Sequence, residues 1–359
     1  MGNDIQIRHI TDISEFKTLK GPWNALLKQN HINDAFLTWE WLFSWWKVFN
    51  KGKQLWLVTA WKSNQLVGIA PLMLERRGKL GLGSKILCTL GTPMNDVGGF
   101  IIQNQDMQIL EDLIANILNQ KKKWDILELT EFPIAGPEIE SLKTAFDQPG
   151  FSIVEKDREH YYLPIETTWD EYYQGLSRKF KKNLRRAERN ANKLGEVKIK
   201  HYAGNQLAWE HFESVININQ HAHYSRLYNS KLEQDFLKEL LGCASQWMNA
   251  YFLGIDNDQV AYEYGFLYNN SFEDWRAGFD TRVDPKISIG KLLSLKVTEH
   301  CFKHDCSAID YMRGAHEYKT EWNPQSRHFQ ELRIFNHQSI MAAIAYLWLR
   351  KVKPVLKRS

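Results

Sequence analysis

The chain has 359 residues, 43% of them apolar and 25% charged, which is ordinary for a globular protein of two domains or one large one. A formal net charge of +4 excludes an overall polycation, so any basic binding surface must be local. The four cysteines, Cys88, Cys243, Cys301 and Cys306, contain no CxxC pair, which argues against a disulfide framework or a zinc site and favours a reducing cytoplasm.

The first half of the chain combines helical and strand patterns. Apolar residues at helical spacing indicate helices, and apolar runs on either side of a polar turn indicate a hairpin. In chain order, the predicted elements are helices at 22–29 and 39–49, a hairpin over Leu55–Leu74, a helix at 106–120 and a strand over Asp125–Phe132.

The second half repeats this order of elements. Its predicted elements are helices at 206–221 and 231–247, a hairpin over Ala250–Asn269, a helix that begins at Ser288 and a strand over Ala308–Met312. The repetition predicts two related α/β units, with domains at 1–160 and 161–335, followed by a C-terminal helix and basic tail at 336–359.

A strongly basic segment lies between the two halves. Residues 178–189 carry seven basic side chains and one acid, and an apolar stripe with Ser177 as N-cap indicates an amphipathic helix. One interpretation is a solvated helix face. The other is a clamp for an anionic or phosphate-rich ligand, with Lys179 and Arg185 among its contacts.

The segment DPKISIGKLLSLKVTEHCF contains the most suggestive phosphate element. Ser288 and Gly290 open a helix whose free N–H groups and positive dipole end suit a pyrophosphate, and Lys291 adds charge. A plain N-cap is the alternative. The segment lacks both the GxxxxGK[ST] spacing of a P-loop and a GxGxxG motif.

Two charged residues near the second hairpin have two interpretations each. Glu263 interrupts an apolar strand, so it is either a general base in a cleft or a residue on the solvent-facing side. Arg276 either grips a carboxylate or phosphate, or forms a structural ion pair with Asp274 or Asp280.

The stretch DYMRGAHEYKTEW places a phenol and an amine side by side just after a strand. Tyr318 and Trp322 either anchor an edge of the core while Lys319 faces water, or the Tyr-Lys pair takes part in a reaction. The sequence contains neither an HExxH nor a GxSxG motif, so no metal site and no hydrolase is predicted.

The apolar run IMAAIAYLWL, Ile340 to Leu349, is about half the length needed to span a bilayer. It predicts a docked C-terminal helix with a solvated basic tail, or a weak peripheral contact with an anionic inner-membrane surface.

The order of basic helix, helices, hairpin, WRAGFD, SIGKLLSLKVTEHCF, AIDYMRG and YKTEW resembles a known family. This is the GNAT-like acetyltransferase domain of bacterial polysaccharide- and cellulose-biosynthesis-associated proteins, a relative of the Fem aminoacyl-transferases with two GNAT units in tandem. The resemblance covers about residues 165–325. The family's small-Gly turn corresponds to Ser288-Ile289-Gly290, with Ile289 where proline is usual. Its closing pattern corresponds to Gly314, Tyr318, Lys319 and Trp322.

The resemblance implies an α/β (α+β), tandem GNAT-like fold with mixed, mostly antiparallel sheets flanked by helices. It implies that acyl-CoA binds with its pantetheine along the Gly265–Tyr268 strand and its pyrophosphate at the Ser288–Lys291 helix start. Glu263 would be the base, Tyr318 the acid or thiolate hydrogen-bond donor, and Lys319 the electrostatic stabiliser. The implied cofactor residues are Gly265, Phe266, Leu267, Tyr268, Ser288, Ile289, Gly290 and Lys291, and the implied substrate-binding residues are Lys179, Arg185, Arg276, Asp280 and Asp310.

The implied function is N-acyl transfer from acetyl-CoA or a longer acyl-CoA, without a metal, to an amino sugar or another cell-envelope precursor. The alternatives are a Fem-like transferase that uses aminoacyl-tRNA, which the basic helix would suit, and a non-catalytic module of polysaccharide assembly. The first half lacks a comparable small-Gly helix start, so it is expected to be a degenerate copy.

Overall fold

The structure is a computed structural model that describes residues 5–30, 32, 34–79, 82–222, 230–284, 286–314 and 317–352. It divides into two compact units. Unit 1 contains the chain up to Arg158 together with the segment from His328 onward, and unit 2 is Glu159–Arg327. The end of the predicted basic tail, 353–359, lies outside the described residues, as does Pro285 beside the predicted phosphate turn.

Unit 1 consists of a mixed β-sheet and six α-helices in its described residues. Its helices are α1 (Ile13–Thr18), α2 (Lys20–Gln29), α3 (Trp39–Phe49), α4 (Met107–Asn119), α5 (Glu138–Phe146) and α12 (Ile340–Leu347). Its strands are β1 (Ile5–Ile10), β2 (Lys53–Lys62), β3 (Gln65–Lys79), β4 (Leu82–Thr89), β5 (Ile101–Ile102) and β6 (Ile126–Pro133), with parts of β7 (Phe151–Pro164) and β13 (Gln325–Asn336), which both cross the unit boundary. The strand order is β1-β2-β3-β4-β6-β13-β7, and β5 pairs with β3.

Unit 2 repeats this plan. Its helices are α6 (Trp169–Gly175), α7 (Arg178–Ala191), α8 (Trp209–Asn219), α9 (Lys231–Ala244), α10 (Ile289–Lys303) and α11 (Glu317–Thr320). Its further strands are β8 (Val197–Ala203), β9 (Met248–Ile255), β10 (Asp258–Tyr268), β11 (Ser271–Phe279) and β12 (Ala308–Arg313). The strand order is β7-β12-β11-β10-β9-β8.

Each predicted hairpin is present, as β2–β3 and β9–β10, and the predicted helices lie within a few residues of their expected ends. In each unit one neighbouring strand pair is parallel, β4–β6 in unit 1 and β11–β12 in unit 2. The described pairings that join β1 to β4 and β8 to β11 are antiparallel. The predicted mixed, mostly antiparallel fold is therefore confirmed.

Helices cover both faces of the unit 2 sheet. Side chains alternate along β10, so neighbouring residues of this strand contact helices on opposite faces. The Tyr262 hydroxyl donates to Asn219 Oδ1 on α8 at 2.8 Å. Glu263, the next residue, faces the other side and meets α10 through Ser294. Glu263 is therefore buried beneath α10, with only 3% of the residue exposed. The interpretation that placed it on a solvent-facing side is wrong.

The C-terminal helix α12 packs on unit 1 through Ala342, which is fully buried. Four large apolar side chains of the α12 region remain exposed: Ile340, Ile344, Leu347 and Trp348. A peripheral membrane contact stays a prediction. Within the described chain, no helix combines the length and the apolar character needed to cross a bilayer.

Candidate active site

The parallel strands of unit 2 separate after a short stretch of pairing. β11 and β12 are joined at Ser271–Ala308, Phe272–Ile309 and Glu273–Asp310, and no pairing between them continues beyond this in the described residues. β12 then bends, with Met312 at a left-handed φ of 58°. On its other edge it stays paired with β7, from Ala308–Pro164 to Arg313–His160. β11 continues to Phe279 along β10. One edge of β11 therefore has backbone groups that no strand pairs with.

A β-bulge lies on β11 where this separation occurs, with Asp274 and Trp275 opposite the single residue Gly265 of β10. The register between β10 and β11 shifts between Tyr264 and Phe266, at Gly265. A Cβ atom at Gly265 would lie 1.9 Å from the Glu273 carbonyl oxygen, so only glycine fits.

The pairing of β10 bears on the predicted pantetheine site. β10 pairs with β9 on one side, up to Phe266–Met248, and with β11 on the other, up to Tyr268–Ser271. Gly265 and Phe266 lie beside β9, and Phe266, Leu267 and Tyr268 lie beside β11, so strand pairing already occupies some of the backbone groups predicted to hold pantetheine. The open edge of β11 offers such groups instead.

The start of α10 lies next to the end of β11. Ser288 is the N-cap, and its side chain makes no capping hydrogen bond. A Cβ at Gly290 would lie 3.2 Å from the ring of Phe279, the last residue of β11. Ile289 is buried in the core and Ser288 is exposed. The first N–H groups of an α-helix have no intrahelical partner, so this start presents donors and a positive dipole end.

Lys291, predicted to add charge for a phosphate, already has a partner. Its ammonium forms an ion pair with Glu321 and lies 5.8 Å from the centre of the Phe180 ring. Contact with a phosphate would require it to leave Glu321.

Three ionisable groups gather where the strands separate, the buried Glu263 and Lys319 and the half-buried Asp274. Ser294 Oγ on α10 donates to Glu263 Oε2 at 2.7 Å. Asp274 follows Glu273, the last residue of β11 that pairs with β12. Its Oδ1 is buried without a hydrogen-bond partner among the described residues. Lys319 is only 4% exposed, and its Nζ donates to the Arg313 carbonyl at 2.8 Å and to the Met312 carbonyl at 3.3 Å.

The carboxyl groups of Asp274 and Glu263 both have raised pKa values. Burial raises the pKa of Asp274 to about 6, and the Lys319 ammonium opposes that rise. Burial, and then the charge of Asp274, hold the pKa of Glu263 well above its usual range, against the Ser294 hydrogen bond. Asp274 is therefore better suited than Glu263 to accept a proton near neutral pH.

The Tyr-Lys pair is arranged differently from the anchoring interpretation. Lys319 is buried and Tyr318 is 42% exposed, the reverse of what that interpretation expects. Trp322 is an anchor, because it is 1% exposed and packs edge-on against Phe180 at 4.9 Å between ring centres. Its carbonyl accepts a hydrogen bond from the Tyr172 hydroxyl at 2.6 Å.

Three other predicted substrate contacts lie in local structural interactions. Asp280 forms an ion pair with Arg282 at 2.6 Å, and these hydrogen bonds lower its pKa. Asp310 pairs with Arg327 and accepts from its own strand's Met312 N–H at 2.8 Å. The Arg276 guanidinium lies 4.4 Å from the centre of the neighbouring Trp275 ring, and Arg282 rather than Arg276 holds Asp280.

Helix α7 has the predicted amphipathic character. Ser177 Oγ accepts from the Phe180 N–H at 3.2 Å, and Phe180, Leu184, Ala187 and Ala191 are buried. Six of its cations are exposed: Arg178, Lys179, Lys182, Arg185, Arg186 and Arg189. Lys179 and Arg185 therefore belong to an open cationic face, and they do not meet the cluster of Glu263, Asp274 and Lys319.

The equivalent place in unit 1 is filled by the chain itself. β4 and β6 pair only from Ile86–Ile126 to Cys88–Glu128. Residues 95–100, which follow β4, are buried, and the Gly98 N–H donates to the Glu131 carbonyl at 2.8 Å. A Cβ at Gly98 would lie 2.3 Å from the Thr130 carbonyl oxygen. The open strand edge therefore belongs to unit 2.

Asp274 is the candidate that sequence reasoning missed, since it was considered only as a partner for Arg276. The sequence feature that could have indicated Asp274 is a carboxylate next to Trp275, in the strand that precedes the turn at Ser288. Its burial depends on the bulge at Gly265, which appears only when β10 and β11 are paired.

Comparison with known proteins agrees with this geometry. Residues 178–320 match the family model described as acetyltransferase (GNAT) domain. The solved structure of FemX aligns over 90% of this chain and 96% of FemX, with a TM-score of 0.60 and 10% identity. L-PGS from Bacillus licheniformis aligns over 93% of this chain and 96% of its own, with a TM-score of 0.54 and 10% identity. A search of curated protein sequences found no match.

A tandem GNAT protein from the clavulanic acid biosynthesis pathway also aligns, over 92% of this chain and 98% of its own, with a TM-score of 0.52 and 10% identity. At such identities the likeness establishes the fold. Residues 178–320 therefore match the acetyltransferase (GNAT) domain model, and the chain as a whole has the tandem GNAT-like fold. In the described part of the chain, no group of three or more His, Cys, Asp or Glu side chains is placed to hold a metal ion.

Proposed function

We propose that unit 2 is an N-acyltransferase that takes an acetyl or longer acyl group from acyl-CoA. The observation that carries this proposal is the open edge of β11 beyond Glu273, next to the start of α10, within the segment that matches the acetyltransferase family. An extended pantetheine amide chain can hydrogen-bond to such an edge, and a pyrophosphate suits a helix start.

In this proposal the amine nitrogen attacks the thioester carbonyl, so that a C–N bond forms and the C–S bond breaks. Asp274 accepts the proton that the amine loses, because its pKa of about 6 leaves it ionised at neutral pH yet still basic. Lys319 holds the end of β12 through two carbonyls and keeps Asp274 acidic enough to ionise. The exposed Tyr318 is the candidate donor to the departing thiolate.

The proposed acceptor is the amino group of an amino sugar or another cell-envelope precursor. Support for this finer statement is the resemblance of the Ser288-Ile289-Gly290 turn and the Gly314…Tyr318-Lys319…Trp322 pattern to the polysaccharide-associated family. The open edge of β11 supports the donor and leaves the acceptor to be tested.

The first test is calorimetric titration of the folded protein with acetyl-CoA and longer acyl-CoAs. Gly290→Asp places a negative charge at the α10 start and is expected to weaken binding by roughly tenfold or more, because it repels the pyrophosphate. Gly290→Asn is the neutral control of nearly equal size and is expected to weaken binding less. Absence of binding by every acyl-CoA to the folded wild-type protein would overturn the proposal.

A second candidate donor is aminoacyl-tRNA. The specific observation in its favour is the exposed cationic face of α7, where six of the seven cations are exposed. The one acid of the helix, Glu188, pairs with Lys296 at 3.4 Å. Such a face suits the phosphates of a tRNA stem.

If tRNA is the donor, Arg185→Glu with Arg186→Glu should abolish a salt-dependent binding of tRNA measured by gel shift. Lys198→Glu with Lys200→Glu, two exposed positions on β8, is the matched charge-reversal control and should leave most of the binding intact. Equal loss in both variants would mean non-specific attraction and would count against this donor.

A further inference from the structure

Unit 1 contains a second candidate site, away from the open strand edge of unit 2. It is a cleft of about 850 Å³ formed by the strands β1 to β4 and the end of α4. This size falls within the range of small-molecule sites. The lining residues that matter are His9, Lys53, Trp56, Glu75, Arg76, Lys85, Lys122 and Lys123.

The lining of the cleft has more cationic than acidic side chains. Four of its cationic side chains are Arg76, Lys85, Lys122 and Lys123. Lys53 and Glu75 also line it, but they are cross-strand partners whose side chains point to the opposite face of the sheet from the Arg76–Lys85 pair. Glu75 pairs at 2.5 Å with Arg77, which is not part of the lining. Lys53 donates to the Phe49 carbonyl of α3 at 2.8 Å, on that opposite face. In the cleft itself, Lys123 donates to Gln120 Oε1 at 2.9 Å, a neutral acceptor.

The dipole of α4 explains the presence of only some of these cations in the cleft. Lys122 and Lys123 follow the C-terminus of α4, where cations complement the negative end of the helix dipole. Arg76 and Lys85 come from two different strands, so the dipole of α4 does not require them. Like charges in one concave site repel each other unless an anion is bound among them.

The interior of the cleft is aromatic. Trp56 is 3% exposed and lies edge-on to His9, with 5.7 Å between ring centres. Burial lowers the pKa of His9, and its Nε2 lies 2.5 Å from Asn116 Oδ1, so His9 is a neutral part of the wall at neutral pH. The Lys123 ammonium lies 5.5 Å from the centre of the Trp56 ring.

We propose that this cleft binds a small molecule that carries two or more linked phosphate groups. Lys85 and Arg76 on adjacent strands grip the phosphates from one side, and Lys122 and Lys123 approach from the end of α4. Arg76 is exposed and Lys85 half-buried, and neither forms an ion pair in the described chain, so both remain available to a ligand. The site is separate from acyl transfer, since its lining lies wholly in unit 1.

The experiment uses the whole chain and inorganic pyrophosphate as the probe. Lysines are labelled with an amine-reactive acetylating reagent, with and without pyrophosphate at 0.15 M salt, and the labelled peptides are quantified by mass spectrometry. Lys85, Lys122 and Lys123 are expected to be protected, while Lys200 on β8, an exposed lysine of unit 2, is not. This local readout distinguishes the cleft from any pyrophosphate bound at the start of α10.

Calorimetry then compares the wild type with Arg76→Ala, Lys85→Ala. The double variant is expected to weaken the unit 1 binding by roughly tenfold or more, because two charge-assisted hydrogen bonds are lost. Lys198→Ala, Lys200→Ala on β8, which also removes two exposed cations, is the matched control and should leave that binding unchanged. Absence of protection at the three cleft lysines, or equal weakening by the two double variants, would overturn the proposal whether or not acyl-CoA binds to unit 2.

Discussion

Replacing Asp274 with asparagine is expected to slow acyl transfer by about 10²–10⁴-fold, the usual contribution of a positioned general base. The same change is expected to make the protein more stable at pH 8. The two effects have one cause, because burial that raises the pKa of this carboxyl to about 6 also makes its ionised form costly.

The sign of the stability effect follows from the pKa shift. Asp274 has a higher pKa in the folded protein than its ordinary value of 3.8, so between pH 4 and 6 the folded state binds more protons than the unfolded state. Stability therefore falls as the pH rises through this interval, and the penalty is fully present above pH 6. Asparagine is neutral throughout and avoids a penalty of about 1–3 kcal/mol at pH 8.

Denaturant unfolding of wild type and Asp274→Asn at pH 8 and pH 4.5 measures this difference, which should shrink at the lower pH. Asp280→Asn is a matched control with the opposite shift, since Arg282 lowers the pKa of Asp280. That carboxylate contributes stability above its ordinary pKa, so its replacement should destabilise the protein at pH 8. An Asp274→Asn protein that is less stable at pH 8 but retains full activity would contradict the assignment of a buried base.

The fold was predictable because its strongest signals are local. The hairpins β2–β3 and β9–β10 appear in the sequence as apolar runs around polar turns, and the Ser177 and Ser288 N-caps mark the starts of α7 and α10. Strands β7 and β13 were not predicted, because polar runs, EKDREH within β7 and QSRH at the start of β13, interrupt the two-residue alternation.

The site was only partly predictable, because its burial pattern is a tertiary property. The bulge at Gly265 interrupts the two-residue alternation between β10 and β11, so the sequence does not show that the Asp274 carboxyl is buried. Lys319 lies in a helix of four residues, too short for a periodic pattern, and it is buried because its ammonium reaches back to the end of β12. In unit 1, burial of 95–100 after β4 is likewise set by contacts with β6.

Lys319→Met is the second change with a large expected effect, and it separates a structural role from an electrostatic one. The substitution removes the donor that satisfies the Met312 and Arg313 carbonyls, and should destabilise the protein by about 1–3 kcal/mol. It also removes the positive charge that lowers the pKa of Asp274, so this pKa should rise above its present value of about 6.

The pH dependence of kcat/KM detects this second effect. With Asp274 as the base, kcat/KM of the wild type should rise with pH through about 6 as the carboxyl ionises. In Lys319→Met the same rise should occur at higher pH, and activity should partly recover in alkaline buffer. Lys319→Arg keeps the charge and should keep the midpoint, even where altered packing lowers the maximal rate. A lysine that acts only as a structural clamp would lower stability and maximal rate in both variants without moving the midpoint, and that result would remove Lys319 from the chemistry of the site.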